Sequence, residues 1–188
     1  MSKIATTKYP VNSIIKERWS ARAFSDKNIS DDLLNQFVEA ASWAASSMNE
    51  QPWLYYVAHR GTPAFDQMAE LLMSGNRVWA KDAAVLLLSL GKKTFSNGNS
   101  NRHYMHDVGA ANQNLMLEAT ANGVLGHLMG GFDVVKTKEV FELSDDLDPI
   151  VFIALGYPGS AEQLPAPFNE REVAIRSRKE LSDILVRK

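Results

Sequence analysis

The sequence contains no cysteine, so disulfide bridges, thiolate metal ligands and thiol nucleophiles are excluded, and any redox chemistry needs a bound cofactor. It also lacks a long apolar run. The most apolar stretch, Ala83–Leu90 (AAVLLLSL), falls well short of the roughly 20 residues that cross a bilayer, and Met1–Val11 has no apolar signal-peptide core. Nor is one sign of charge in surplus: 20 Lys and Arg against 22 Asp and Glu leave a formal net charge of -2, which gives nucleic acid no global attraction. Internal repeats, low-complexity tracts and linker-like composition are missing too. These absences predict a soluble, cytoplasmic protein with neither membrane nor nucleic acid as partner. They also predict one domain over residues 1–188, long enough to bury roughly 70% of the unfolded chain's surface.

What is present is hydrophobic periodicity broken by short Gly, Pro and Asn punctuation. A short helix ends near Arg18, and Ser30 caps a second whose apolar side carries Leu33, Leu34, Phe37, Val38, Ala41 and Ala44 before it stops around Ala45. Leu54–Ala58 reads as a strand, Thr62-Pro63 opens a helix, and Ala83–Leu90 suits a central strand covered on both faces. Asn97–Asn101 reads as a mobile loop. His103–Asn122 is a long helix in which Gly109, Ala110 and Ala111 permit close approach, as in a core or subunit interface. Val124–Met129 and Ile150–Leu155 are further strands around a helix over Val134–Leu143; Pro158–Arg178 reads as irregular and Ser177–Leu185 as helical.

Four polar clusters could carry chemistry. Arg18, Ser20 and Arg22 place two guanidinium groups and a hydroxyl beside a helix end, which suits phosphate oxygens, although surface arginines are also commonly just solvated. Ala45-Ser46-Ser47-Met48-Asn49-Glu50-Gln51-Pro52-Trp53 is a polar turn whose side chains either cap the backbone or bind a planar polar ligand. Met129-Gly130-Gly131-Phe132, at a strand end, is either a tight turn or a place where a ligand meets bare backbone. Arg176-Ser177-Arg178 is a solvated charge cluster or an anion site.

In this order the four segments resemble the FMN-dependent nitroreductase family from about Val11 to the C-terminus. Arg18, Ser20, Arg22 and Phe24 match its opening Arg-x-Ser-x-Arg/Lys-x-Phe pattern, and Ser46-Ser47-x-Asn49-x-Gln51-Pro52-Trp53 matches its second signature. The resemblance implies an α+β nitroreductase-like fold, a central, mainly antiparallel sheet flanked by helices, in an intertwined homodimer with FMN at the subunit interface. It further implies that Arg18, Trp19, Ser20, Arg176 and Arg178 bind the FMN phosphate and ribityl chain. Arg22 would sit near the pyrimidine edge, where a cation stabilises charge on N1 of the reduced ring and raises its potential. Asn76 would read the flavin's polar edge, Ser46, Ser47 and Asn49 would reach the partner's flavin, and Met129, Gly130 and Gly131 would lie against the ring. The backbone of Gly130 is then near N5, and no side chain is named as catalytic, because the flavin carries the electron chemistry.

The implied activity is hydride transfer from NADH or NADPH through flavin N5 to a nitroaromatic, quinone or similar small acceptor, by a ping-pong mechanism. Two positions depart from the family pattern: Ala45 stands where many relatives have Pro, and Trp79 where some have a Lys near the flavin. A non-catalytic flavin-binding or redox-responsive protein on the same scaffold is the competing reading. His103 and His106 share a helix face and Asp107 adds an oxygen ligand, which permits a metal ion, but no second ligand cluster accompanies them, so no metal is expected. A Gly-x-Ser-x-Gly elbow and a Gly-x-Gly-x-x-Gly dinucleotide fingerprint are both absent, which disfavours a hydrolase and a resident nicotinamide.

Overall fold

The computed structural model describes residues 3–188. Strands β1 (Trp53–His59), β2 (Val85–Lys92), β3 (Leu125–Met129) and β4 (Leu147–Gly156) form a sheet of spatial order β1-β2-β4-β3 in which every neighbouring pair is antiparallel. The central place of β2 follows from its unbroken apolar run, which needs cover on both faces. Leu86, Leu88 and Leu90 enter a core shared with Phe24, Trp79 and Phe152, while Val85 and Leu87 enter another, shared with Phe37, Leu115 and Met116. The sheet therefore divides two hydrophobic cores.

Helices close both faces. Around the first core lie α3 (Pro63–Leu71), capped by the Thr62 hydroxyl with Pro63 in its first turn, and α4 (Ser74–Ala80). Over the second lie α2 (Asp31–Ser42), capped by Ser30, and the long α5 (Tyr104–Ala121). Short helices α1 (Ser13–Glu17), α6 (Val134–Val140) and α7 (Phe168–Val173) complete the set. No helix among the described residues is long and apolar enough to cross a membrane. The Asn112 side chain joins α5 to the sheet, its Oδ1 accepting the Tyr55 hydroxyl at 2.9 Å and the Ser89 hydroxyl at 3.0 Å.

Close approach of α5 depends on Gly126 rather than on the helix's own small residues alone. A Cβ at Gly126 would collide with Met116 Sδ and lie 2.8 Å from Leu155 Cδ2. Ala111 is buried as expected, but Gly109 is exposed on an open face of α5.

The Asn97–Asn101 loop contains a turn: Phe95 N–H reaches Asn99 O at 2.8 Å, Gly98 N–H reaches Phe95 O at 2.9 Å, and Asn101 is buried. Two local expectations need correction. Pro158–Arg178, read as irregular, contains α7, and of the helix expected over Ser177–Leu185 only a 3-10 turn at Leu181–Asp183 forms. Helix α4 was not expected, because its seven residues include a glycine and three polar side chains and carry no periodic signal.

Candidate functional site

Residues 18–24 run beside the sheet edge, with Ser20 bridged in parallel to Gly126 of β3. Extended backbone turns alternate side chains to opposite sides. Trp19, Ala21 and Ala23 accordingly enter the core, while Arg18, Ser20 and Arg22 stand half-exposed on the other side. Trp19, expected among the cofactor ligands, turns its indole inward and leaves its backbone to the site. Two groups hold this segment, one buried and one half-buried: Glu172 Oε1 accepts the N–H groups of Arg22 and Ala23, both at 2.9 Å, and His127 Nδ1 donates to the Ala21 carbonyl at 3.0 Å. Burial and the nearby Arg22 push the His127 imidazole down to about 4, so it is neutral near pH 7.

The chain's two ends bring cations together. Arg18 Nη1 lies 3.5 Å from Ser20 Oγ, and Arg176 Nη1 donates to the carbonyls of Lys3 and Lys16, both at 2.7 Å. Burial lowers the Arg18 pKa, and the positive charges of Arg176 and Arg178 lower it further. Among the described residues none of these three arginines is ion-paired to a carboxylate. They line a cleft of ≈ 550 Å³ together with Thr6, Lys16 and Gln113. Arg18 and Arg176, partly desolvated, and the exposed Arg178 make an electrostatic site for an anion, and a phosphate dianion matches guanidinium forks in charge and geometry.

Beyond β3, Met129 is buried and Gly130 is exposed, and a Cβ at Gly130 would meet nothing within 4 Å. The backbone there faces open space. Gly131 is different: its carbonyl accepts the Asn76 side-chain amide at 3.0 Å and the Met73 N–H at 3.1 Å, and a Cβ would lie 2.9 Å from Asn76 Nδ2. Asn76 thus fixes the glycine turn, a role that sequence spacing did not reveal.

The Ser46–Gln51 turn forms a separate group. Met48, Asn49 and Gln51 all adopt left-handed backbone, with φ of 54°, 57° and 53°. Such density of non-glycine residues in that region is costly unless surrounding contacts impose it. They do so here: Asp107 Oδ2 accepts the Ser47 N–H at 2.9 Å, Ser46 Oγ accepts the Gln51 N–H at 3.0 Å, and Gln51 Nε2 donates to Asn49 O at 3.1 Å. Asp107 is therefore a loop anchor, with His106 Nδ1 3.1 Å from its other oxygen. Asp107 and Gln113, which touch the two groups from α5, are about 9 Å apart along the helix and about 120° apart around it. No hydrogen bond among the described residues joins Ser46, Ser47 or Asn49 to the arginine cluster.

Sequence patterning did not single out Glu172, His127, Lys16 or Gln113 for this region, since isolated residues far apart in the chain leave no motif. Trp79 is not an edge of the site at all. It is 1% exposed, its Nε1 donates to Gly75 O at 3.0 Å, and its ring lies beneath Arg22.

Known proteins share this fold. A solved structure described as an oxidoreductase containing FMN matches with a TM-score of 0.93 and 32% identity, covering 99% of this chain and 96% of that one. A provisionally named nitroreductase from Desulfovibrio desulfuricans, solved in complex with FMN, matches with a TM-score of 0.76 and 26% identity over 97% of this chain and 98% of its own. A protein of Archaeoglobus fulgidus with the provisional name NADH dehydrogenase/NAD(P)H nitroreductase is 26% identical over 152 residues, covering 77% of this chain and 83% of that protein. The Nitroreductase family model matches residues 15–157. With a sheet, helical layers and a full-length structural match in agreement, the chain belongs to the nitroreductase family.

Proposed function

We propose that the protein is an FMN-dependent NAD(P)H oxidoreductase, with the chain forming one cofactor-binding domain that works as a homodimer. The observation that carries this reading is the cluster of Arg18, Arg176 and Arg178, which lacks a carboxylate partner among the described residues. Its chemistry fits the phosphate of FMN, and the open backbone at Gly130 fits a planar ring. When bound, FMN supplies hydride transfer at N5 between NADH or NADPH and a nitroaromatic, quinone or similar small acceptor, in a ping-pong cycle.

The chain's own residues bind and orient. Arg18, Ser20, Arg176 and Arg178 hold the phosphate and ribityl chain, each charge-assisted hydrogen bond contributing about 1.5–3 kcal/mol. Arg22 keeps a positive charge at the pyrimidine edge, and Asn76 sets the path of Gly131 so that Gly130 leaves space for the ring. Ser46, Ser47 and Asn49, preorganised by Asp107, complete the site of the second subunit. Relatives whose names or structures include FMN and NAD(P)H support the reading.

The visible spectrum of purified protein, before and after added FMN, is the test. A bound-flavin spectrum that bleaches anaerobically with NADH or NADPH and recovers with a quinone or nitroaromatic is expected. Colourless protein that takes up no FMN overturns the proposal; bound flavin that neither donor reduces identifies a flavin-binding protein without turnover.

A further inference from the structure

Trp79 lies deep in the first core, 1% exposed, and brings no charge. Its ring is fixed from several sides. Nε1 donates to Gly75 O at 3.0 Å, Phe24 lies at a ring-centroid distance of 6.4 Å, and His127 stacks at 4.6 Å with a 39° tilt. The His127 ring is itself tied to Ala21 O at 3.0 Å, within the strand that carries Arg22. On this stack rests a single cation: the Arg22 Cζ lies 5.8 Å from the Trp79 ring centroid. That distance is inside the range where the negative face of an indole attracts a guanidinium. The Arg22 backbone is fixed separately, through its N–H to Glu172. Both ends of Arg22 are thereby restrained, one by a carboxylate and the other by an aromatic face. Being neutral near pH 7, His127 does not compete with Arg22 for the indole.

We propose that Trp79, backed by His127, is a positioning residue that holds the Arg22 guanidinium in place and so sets the electrostatic preference of the site for reduced over oxidised FMN. This rests on the FMN reading above. Trp79 acts through the quadrupole of its ring, beyond filling volume, and the two roles separate experimentally.

A ring-fluorinated tryptophan incorporated at position 79 preserves shape and the N–H donor while weakening the negative π face. The readouts are the affinity for FMN and the flavin midpoint potential, in the wild-type and Arg22→Ala backgrounds. Fluorination is expected to lower the preference for reduced flavin about threefold, or roughly 15 mV at 29.6 mV per tenfold for two electrons. Trp79→Leu, where it folds, is expected to lower it by three- to tenfold, and neither change is expected to act once Arg22 is alanine. A potential that is unmoved by fluorination although Arg22→Ala shifts it overturns the inference, as does an equal shift in both backgrounds. An Arg22→Ala protein with unchanged potential also overturns it, by removing Arg22 from the flavin's surroundings while leaving FMN binding intact. Wild-type protein that refuses FMN brings down the cofactor reading and this one together.

Discussion

Arg18 and Arg176 test the anion site most directly. Replacing both with alanine removes two charge-assisted partners, so FMN affinity is expected to fall on the order of 100-fold or more, measured by quenching of FMN fluorescence. Because their charges disfavour one another, Arg18→Ala alone is expected to leave the urea midpoint of the apoprotein unchanged or slightly raised. His127 gives a pH signature. Its folded pKa, about 4, lies below the ordinary value of 6.5, so between these limits the unfolded chain takes up a proton that the native chain does not. Stability is therefore full above pH 6.5 and falls as pH drops toward 4, by up to about 3 kcal/mol less whatever solvent reaches the half-exposed ring. His127→Asn is expected to flatten that part of the curve of urea midpoint against pH; an unchanged slope refutes the assignment. The alternation of Arg18, Ser20 and Arg22 was legible in the sequence because two-residue spacing survives in one dimension. Glu172, about 150 positions away from the backbone it holds, was not.

At the scale of elements, Asn112 is the polar link between helix and sheet. Its Oδ1 accepts the half-buried Tyr55 hydroxyl and the buried Ser89 hydroxyl, and burial raises the Tyr55 phenol well above its usual range, keeping it a neutral donor. Asn112→Ala leaves both donors stranded, so a loss of about 2–4 kcal/mol is expected in urea unfolding, while Asn112→Asp retains an acceptor at that position. Elements with strong periodicity, unbroken apolar content or a long helix-favouring composition were readable in advance, as α2, β2 and α5 respectively show. Two short helices, α4 and α7, were not, because a helix of six or seven residues derives its stability from packing rather than from its own propensity. The same holds for the Ser46–Gln51 turn: its polar composition was visible, but its left-handed backbone and Asp107 anchor exist only in three dimensions.

For the whole molecule, the distribution of apolar surface is the main observation. Trp43 and Met48 are each 82% exposed beside the Ser46–Gln51 turn, and Ile175 is 96% exposed next to Arg176. Leu54, Tyr56 and Val57 are also exposed on β1. Patches on this scale are characteristic of surfaces that associate. The protein is expected to elute as a dimer in light-scattering chromatography, and Trp43→Glu combined with Met48→Glu is expected to shift it toward monomer with loss of FMN. A monomer that retains FMN with full affinity refutes the two-chain site. Which side chains meet across subunits was not legible in one sequence, although the family resemblance supplied the expectation of two chains.

The segment that carries Arg18, Ser20 and Arg22 also shields the outer margin of β3, through the Ser20–Gly126 bridge and the His127–Ala21 contact. On the proposed function, one stretch of chain both covers the sheet margin and holds the cofactor, so the two roles are physically coupled. Rebuilding it to suit a different ligand would strip cover from hydrogen-bonding groups and invite sticking between molecules. Substitutions confined to the connecting loops are expected to avoid that cost, because they alter recognition while the sheet margin stays covered.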